Sequence, residues 1–436
     1  MSMQQQANTI DRVLAAYKVG CTVAPPPASY QTSGYNAFVF RRDGGLKVSS
    51  ITNLTPELEE ALSQPIRFSH RPLTLEVARH DPQRLPLIAM WDLLRNAKAD
   101  GLPVALGQTV EGNRLLPKRM NLAEPNTPHA LIAGTTGSGK TILLQSMLLS
   151  AAAMQSPATL ALVVLDPKGV DFRTFYGLPH LAHNVVTDPV ECVQALASVV
   201  AELERRKAAG MLEPEQRIVV AIDELADLMD VAGREVESYI RRIIQVGRGL
   251  GVSVLAATQQ PLASIVGSVI KANFPVRLVG KVTSDIEAKT AAGQYHTGAE
   301  RLPGKGSFLC VNGHVSRVQA FHSTQEEQTQ LIGIIGQRWG GAKVHYSLRL
   351  EGVAPVMQPV AYKPPMVGSV KLTRPVYATF SEYFDKSTGE LSHGGTAAMI
   401  RACFGDNTPT GGNYRQQALK VVEYLKATST TVARPL

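Results

Sequence analysis

Between Pro128 and Val279, short apolar runs alternate with longer segments of helical character. The short runs are Ala130 to Ala133, Leu160 to Leu165, Ile218 to Ile222, Ser253 to Ala257 and Val276 to Val279. Each has the length and apolar make-up of a strand buried on both faces. Helix-length segments follow most of them: Lys140 to Gln155, Pro189 to Lys207, Arg234 to Gly247 and Ala263 to Asn273. Strands alternating with helices predict an α/β domain built on a parallel sheet. Two further β-like runs, Gly306 to Val311 and Val315 to Phe321, flank Asn312-Gly313, a hairpin signal. Gln325 to Trp339 predicts the helix that closes this domain.

The pattern differs on either side. Residues 1 to about 20 read as a helix, and Cys21 to Gly34, with Pro25-Pro26-Pro27, as a linker. Tyr35 to Arg41, Leu46 to Ile51 and Leu73 to Ala78 are β-rich. Thr55 to Ser63 predicts a short helix capped by Thr55 with Pro56 at its first position, and Leu87 to Lys98 a second. Residues 341–372 are rich in Pro, Val and Gly without clear periodicity, a linker pattern. Val376 to Lys386, Thr396 to Phe404 and Tyr414 to Ala427 then predict three helices, with eight basic and five acidic residues from Lys371 onward. Such a unit suits either a helix-turn-helix or winged-helix DNA reader or a bundle for protein contacts. The expected organisation is thus an N-terminal helix and linker (1–33), a small α+β domain (34–115), the alternating α/β domain (116–340), a linker (341–372) and a C-terminal helical domain (373–436).

Composition narrows the class. The 436 residues, 44% hydrophobic and 18% charged, suit a soluble globular protein of two or three domains. No apolar run approaches the ~18 residues of a membrane span. The first twenty residues lack a basic start and a cleavage site, so no signal peptide and no membrane anchor are expected. Cys21, Cys192, Cys310 and Cys403 are scattered without a CxxC pair, as in reduced cytoplasmic proteins. The net charge of +8 favours a polyanionic partner only weakly.

The chemistry concentrates at the end of the first strand of the alternating region. There, Gly134-Thr135-Thr136-Gly137-Ser138-Gly139-Lys140-Thr141 stands between an apolar strand and a helix, the context of a phosphate-binding P-loop. Glycines let consecutive backbone N–H groups turn inward around phosphate oxygens, and the helix N-terminus adds positive potential at the same place. Lys140 is placed to reach the β- and γ-phosphates of ATP, and the Thr141 hydroxyl to ligate Mg²⁺. Downstream, IVVAIDE ends a buried strand in two carboxylates. The first, Asp223, suits the Mg²⁺ site, and the second, Glu224, suits a general base for the attacking water. The next strand brings Thr258-Gln259 to the same carboxyl edge, where a glutamine can sense the γ-phosphate.

The runs TPHALIAGTTGSGKT, LDPKGVDF (Leu165 to Phe172), YGLPHL (Tyr176 to Leu181), ELERRK (Glu202 to Lys207), IDELADLM (Ile222 to Met229), LGVSVLAATQQP (Leu250 to Pro261) and VIKANFPVRL (Val269 to Leu278) follow one another in order. Together they resemble the motor of the FtsK/SpoIIIE DNA translocases, with similarity running from about Gly34 to Phe321. The resemblance implies a RecA-like P-loop ATPase core with a small α+β domain before it; the small helical domain after it, a winged-helix reader or a bundle, lies beyond the matched stretch. It also implies a homo-oligomer, expected to be a hexameric ring, with double-stranded DNA threaded through it. Arg248 in GRGLG matches the family's trans-acting arginine finger, and Lys271 and Lys289 match positions that face the DNA backbone. Two positions depart from the family pattern: Gln260 stands where an Arg is usual, and Asp285 occupies a basic position. Both remove positive charge from expected pore loops.

Three functions stay open at this level. The leading one is an ATP-driven DNA translocase in phage or mobile-element transfer, packaging or replication. A helicase of the same fold preferring single strands, and a protein-secretion ATPase, are the alternatives. The acid pair Asp223-Glu224 argues against a nucleotide-gated scaffold without turnover.

Overall fold

The computed structural model describes residues 1–42, 44–70, 73–79, 83–87, 101–111, 114–211, 214–259 and 274–350. Beyond these it describes 366–367, 370–371, 383–385, 390–391, 395–404 and 412–429. They divide into two units, Met1–Val360 and Ala361–Leu436.

Among the described residues, the larger unit contains two sheets. In the first, β1 (Cys21–Val23), β3 (Tyr35–Arg42), β5 (Leu73–Ala78) and β4 (Ile66–His70) lie side by side and antiparallel, and β2 (Tyr30–Gln31) also pairs with β3. Helices α1 (Met3–Ala16), α2 (Ser49–Thr52) and α3 (Thr55–Leu62) cover it, burying Ile10, Leu14, Ile51 and Leu58 against Phe38 and Leu75. Cys21 to Gly34 is therefore not a free linker, because its two short strands complete this sheet. Leu46 to Ile51 is not a strand either: Ser49–Thr52 forms a single helical turn that drops Ile51 into the core. Thr55 does not cap α3, since its hydroxyl donates to the Thr52 carbonyl at 2.6 Å and Leu54 holds the cap position.

The second sheet has nine strands in the order β7-β6-β14-β13-β12-β8-β11-β10-β9. These are β6 (Pro103–Glu111), β7 (Arg114–Asn121), β8 (Ala130–Ala133), β9 (Leu160–Leu165), β10 (Arg217–Ile222), β11 (Val252–Thr258), β12 (Val276–Val279), β13 (Ser307–Asn312) and β14 (His314–Ala320). Strands β12, β8, β11, β10 and β9 are parallel, and every residue of β8, β9 and β11 is buried. Such strands need helices on both faces. One face takes α4 (Lys140–Met154), apolar nearly all round, and α8 (Gln325–Arg338). The other takes α5 (Pro189–Ala208), capped by the Asp188 carboxylate, and α6 (Leu225–Val246). Helix α6 starts directly at the acid pair rather than at Arg234; non-helical angles at Ala232 kink it, and the expected helix is its second half.

The hairpin β6–β7 joins this sheet by pairing with β14, so the expected border at residue 115 falls inside the hairpin. The start of the expected linker is also anchored. Val344, Tyr346, Leu348 and Leu350 pack on the α5–α6 core, and the Leu348 amide donates to the Ala182 carbonyl. The remaining helix α7 (Asp285–Ala292) follows β12.

A charged seam joins the two sheets. Glu76 of β5 is buried between Arg67, at 2.9 Å, and Arg317 of β14. Arg67 also donates twice to the Thr297 carbonyl, and the Arg317 guanidinium lies 3.7 Å from the centre of the Tyr35 ring. Burial alone would raise the Glu76 carboxyl, but the two guanidiniums hold it below the usual carboxylate range. Removing the carboxylate leaves two buried cations facing each other. Glu76→Gln is expected to cost about 3–5 kcal/mol of unfolding free energy, measurable by urea titration.

In the smaller unit, Met366–Val367 pairs with Val370–Lys371 and Phe384–Asp385 with Glu390–Leu391. Its helices are α9 (Gly395–Phe404) and α10 (Gly412–Ser429). The expected helix Val376 to Lys386 gives way to a strand at Phe384–Asp385, and residues 376–382 lie outside the described residues. The expected helices at 88–98 and 263–273 lie outside them too. Among the described residues, no helix is long and apolar enough to cross a membrane.

Candidate active site

The sequence of β8 dictates where the phosphate loop sits. Ala130–Ala133 is buried between β11 and β12, so the chain leaving it emerges at the carboxyl edge of the sheet. There the Gly134 amide donates to the Thr258 carbonyl and the Thr135 amide to the Lys281 carbonyl, pinning the loop to both neighbours. Gly137 and Gly139 take φ of 79° and 99°, in the left-handed region, and Gly139 begins α4. The residues just ahead of β13 brace the loop from outside: the Lys305 and Gly306 amides donate to the Gly137 and Ser138 carbonyls. A Cβ on Gly139 would stand 3.0 Å from the Gly306 nitrogen, so the close approach requires glycine there.

Lys140 is 6% exposed, and its ammonium folds back to donate to the Thr135 carbonyl at 3.1 Å. The Thr141 hydroxyl donates to Asp223 Oδ1 at 3.0 Å. Strand order completes the cluster. Because β11 lies between β8 and β10, its end delivers Gln259 between the loop and the acid pair. The Thr136 hydroxyl donates to the side-chain Oε1 of Gln259 at 2.7 Å, and the Gln259 backbone N–H donates to both Glu224 oxygens at 3.1 Å.

Strand β9 adds residues that sequence reasoning gave no role. Lys168 Nζ lies 3.5 Å from Glu224 Oε2. Asp166 accepts from the amides of Gly169, Asp171 and Phe172, which shapes the turn holding Lys168 in place. The available signal was a polar Asp-Pro-Lys-Gly at the end of an apolar strand. A chamber of about 680 Å³ is lined by Thr136, Lys140 and Gln259 together with Arg84 and Phe321.

The structure thus gathers Gly134 to Thr141, Asp223, Glu224 and Gln259 at one edge. It does not bring Arg248 to them. Arg248 is exposed in the turn Gly247–Leu250 before β11, and the seven residues of β11, roughly 20 Å of strand, separate it from this cleft. Lys289 lies on α7, its ammonium 3.7 Å from the centre of the Tyr295 ring. Lys271 and Gln260 lie outside the described residues.

The donor set fits Mg²⁺. Thr141 and Asp223 offer oxygen only, and no group of three or more His, Cys, Asp or Glu able to hold a metal occurs among the described residues. A hard cation held by two protein oxygens and substrate phosphates needs no more than that. Burial, then the charges of Asp171 and Asp166, push the Asp223 carboxyl up to about 7, while burial pushes Lys140 down to about 8. A Mg²⁺ bound at Asp223 would therefore displace a proton below pH about 7, and a phosphate bound at Lys140 would draw one in above about 8. Affinity for Mg·ADP is expected to peak between these values, with proton release on the acid side and uptake on the alkaline side. Titration calorimetry in buffers of differing ionisation enthalpy reads this directly, and Asp223→Asn should abolish the release.

Residues 89–211 and 207–263 match the family model described as FtsK/SpoIIIE family. The chain belongs to the FtsK/SpoIIIE family. The DNA translocase FtsK of Campylobacter jejuni strain 81-176 is 35% identical over 348 residues, covering 74% of this chain. That of Staphylococcus aureus strain Mu50 is 34% identical over 72% of it. The chain spans 36% and 42% of these relatives' lengths. Among solved structures, the pCW3 conjugation coupling protein TcpA, in its monomer form with ATPγS, gives a TM-score of 0.50 at 21% identity. It covers 76% of this chain and 99% of its own. ATPases 2 and 3 of EssC from Geobacillus thermodenitrificans give 0.50 at 18% identity, over 56% of this chain and 50% of theirs. These likenesses concern the fold, which is the RecA-like P-loop core that the FtsK/SpoIIIE motifs imply.

Proposed function

We propose that the protein is an ATP-driven DNA translocase working as a ring, expected to be a hexamer on double-stranded DNA. Lys140 grips the β- and γ-phosphates, and Thr141 and Asp223 hold Mg²⁺, which would neutralise charge building on those phosphates. Glu224 takes the proton of the attacking water. Gln259, bonded to both Thr136 and Glu224, reports the state of the γ-phosphate along β11. Arg248 reaches the site of a neighbouring subunit, and Lys271 and Lys289 contact DNA phosphates without reading sequence.

The observation that carries this reading is the Thr136–Gln259–Glu224 chain of hydrogen bonds. It ties phosphate loop and base together through the strand whose other end bears Arg248. Support for DNA as the polymer comes from the curated relatives, which are DNA translocases by name. The test is ATP turnover measured with and without duplex and single-stranded DNA, alongside sedimentation with a slowly hydrolysed analogue. Strong stimulation by duplex and a ring-sized species are expected. Stimulation by single strands alone would favour the helicase reading, and none by either nucleic acid would overturn both.

A further inference from the structure

Arg248 is exposed, yet the turn that bears it is held from beneath by a buried side chain. Arg206, 3% exposed near the end of α5, donates from Nη1 to the Leu250 carbonyl at 2.8 Å. Its Nε donates to Glu202 Oε1 at 2.7 Å, and Glu202 is held in turn by the forked guanidinium of Arg205, at 2.7 and 2.8 Å. The next residue, Gly251, has a φ of 70°, and a Cβ there would stand 2.6 Å from Pro214 Cγ and 3.5 Å from Arg206 Nη1. Chain and side chain therefore close on each other at the residue after Leu250. One turn further along, Arg242 of α6 donates to Glu204 at 2.6 Å, so α5 grips both the helix leading into the Arg248 turn and the turn itself.

A buried guanidinium spent on one backbone carbonyl needs a reason, since desolvating it is costly unless its donors are satisfied. A finger arginine must hold its direction to act on a phosphate across a subunit boundary. We infer that Arg206 is a positioning residue for Arg248: clamped by Glu202, it fixes the Leu250 carbonyl and thereby the turn that presents Arg248 to the neighbouring subunit. Lysine cannot replace it, because a single ammonium lacks the fork that meets carboxylate and carbonyl together.

The inference rests on Arg248 acting in trans, and the test keeps the two apart. ATP turnover with duplex DNA is compared for the full chain, Arg206→Lys, Arg248→Ala and the double variant, with Mg·ADP affinity and assembly measured on each. Arg206→Lys is expected to lower kcat about tenfold with nucleotide affinity unchanged, and to have no further effect once Arg248 is gone. Should Arg206→Lys not fold, Glu202→Gln, which loosens the clamp while keeping the guanidinium, takes its place in the same cycle. Full turnover by Arg248→Ala would defeat the finger reading and this inference with it. A slow Arg248→Ala beside an unimpaired Arg206→Lys would overturn the positioning role alone. So would a tenfold loss that persists undiminished in the double variant, because a general structural effect behaves that way.

Discussion

Glu224→Gln is expected to lower ATP turnover by about 10²–10⁴-fold while leaving Mg·ATP binding close to normal. The carboxylate is buried, and its oxygens accept from the Gln259 amide and face Lys168. Glutamine keeps one acceptor oxygen of the same shape, so the bond that ties strand β11 to the acid pair can persist. What disappears is the ability to take a proton from water. Phosphate release in the steady state, with binding followed by a fluorescent ATP analogue, separates the two effects. Turnover at more than about a tenth of the normal rate would show that another group removes the proton.

Arg248→Ala is expected to cost about 10³-fold or more in turnover, the usual worth of an arginine supplied to a phosphoryl-transfer site. It should leave stability within about 0.5 kcal/mol, as for other exposed substitutions. The geometry makes a sharper test possible. Since Arg248 stands a full strand length from its own cleft, a subunit lacking it and a subunit lacking Lys140 are damaged in different places. In the proposed ring, mixed Lys140→Ala and Arg248→Ala proteins would form some junctions with an intact lysine on one side and an intact arginine on the other. Turnover of the mixture should exceed the sum of the separate proteins. Additive rates from a mixture shown to co-assemble would mean that Arg248 does not complete a neighbour's site.

The parts of this site that the sequence displays are those built from adjacent residues. Gly134 to Thr141 is one loop, and Asp223-Glu224 one strand end, so local pattern suffices for both. Gln259 was legible as a polar residue at a strand end, but its place between loop and base depends on β11 inserting between β8 and β10. That order is a long-range pairing with no local signature. Lys168 escaped for the same reason, since only the β9–β10 register sets it against Glu224. The short strands β1 and β2 were masked by Pro25-Pro26-Pro27, whose loop character is real but spans only the connection between them. Strand β6 fell in the expected small domain, cut off from most of β7, because its partner β14 lies some 200 residues further along the chain. Val344, Tyr346, Leu348 and Leu350 alternate over only seven residues, too short a run to stand out in the Pro-, Val- and Gly-rich stretch read as a linker.

Strand β14 carries Arg317, which binds Glu76, and two residues later Gln319, whose amide donates to the Lys305 carbonyl. Lys305 itself braces Gly137. The small sheet and the phosphate loop are therefore geared to each other through three residues of one strand, a linkage too short to absorb much slack. A displacement of the amino-terminal sheet therefore reaches the phosphate loop through Arg317, Gln319 and Lys305 alone among these contacts.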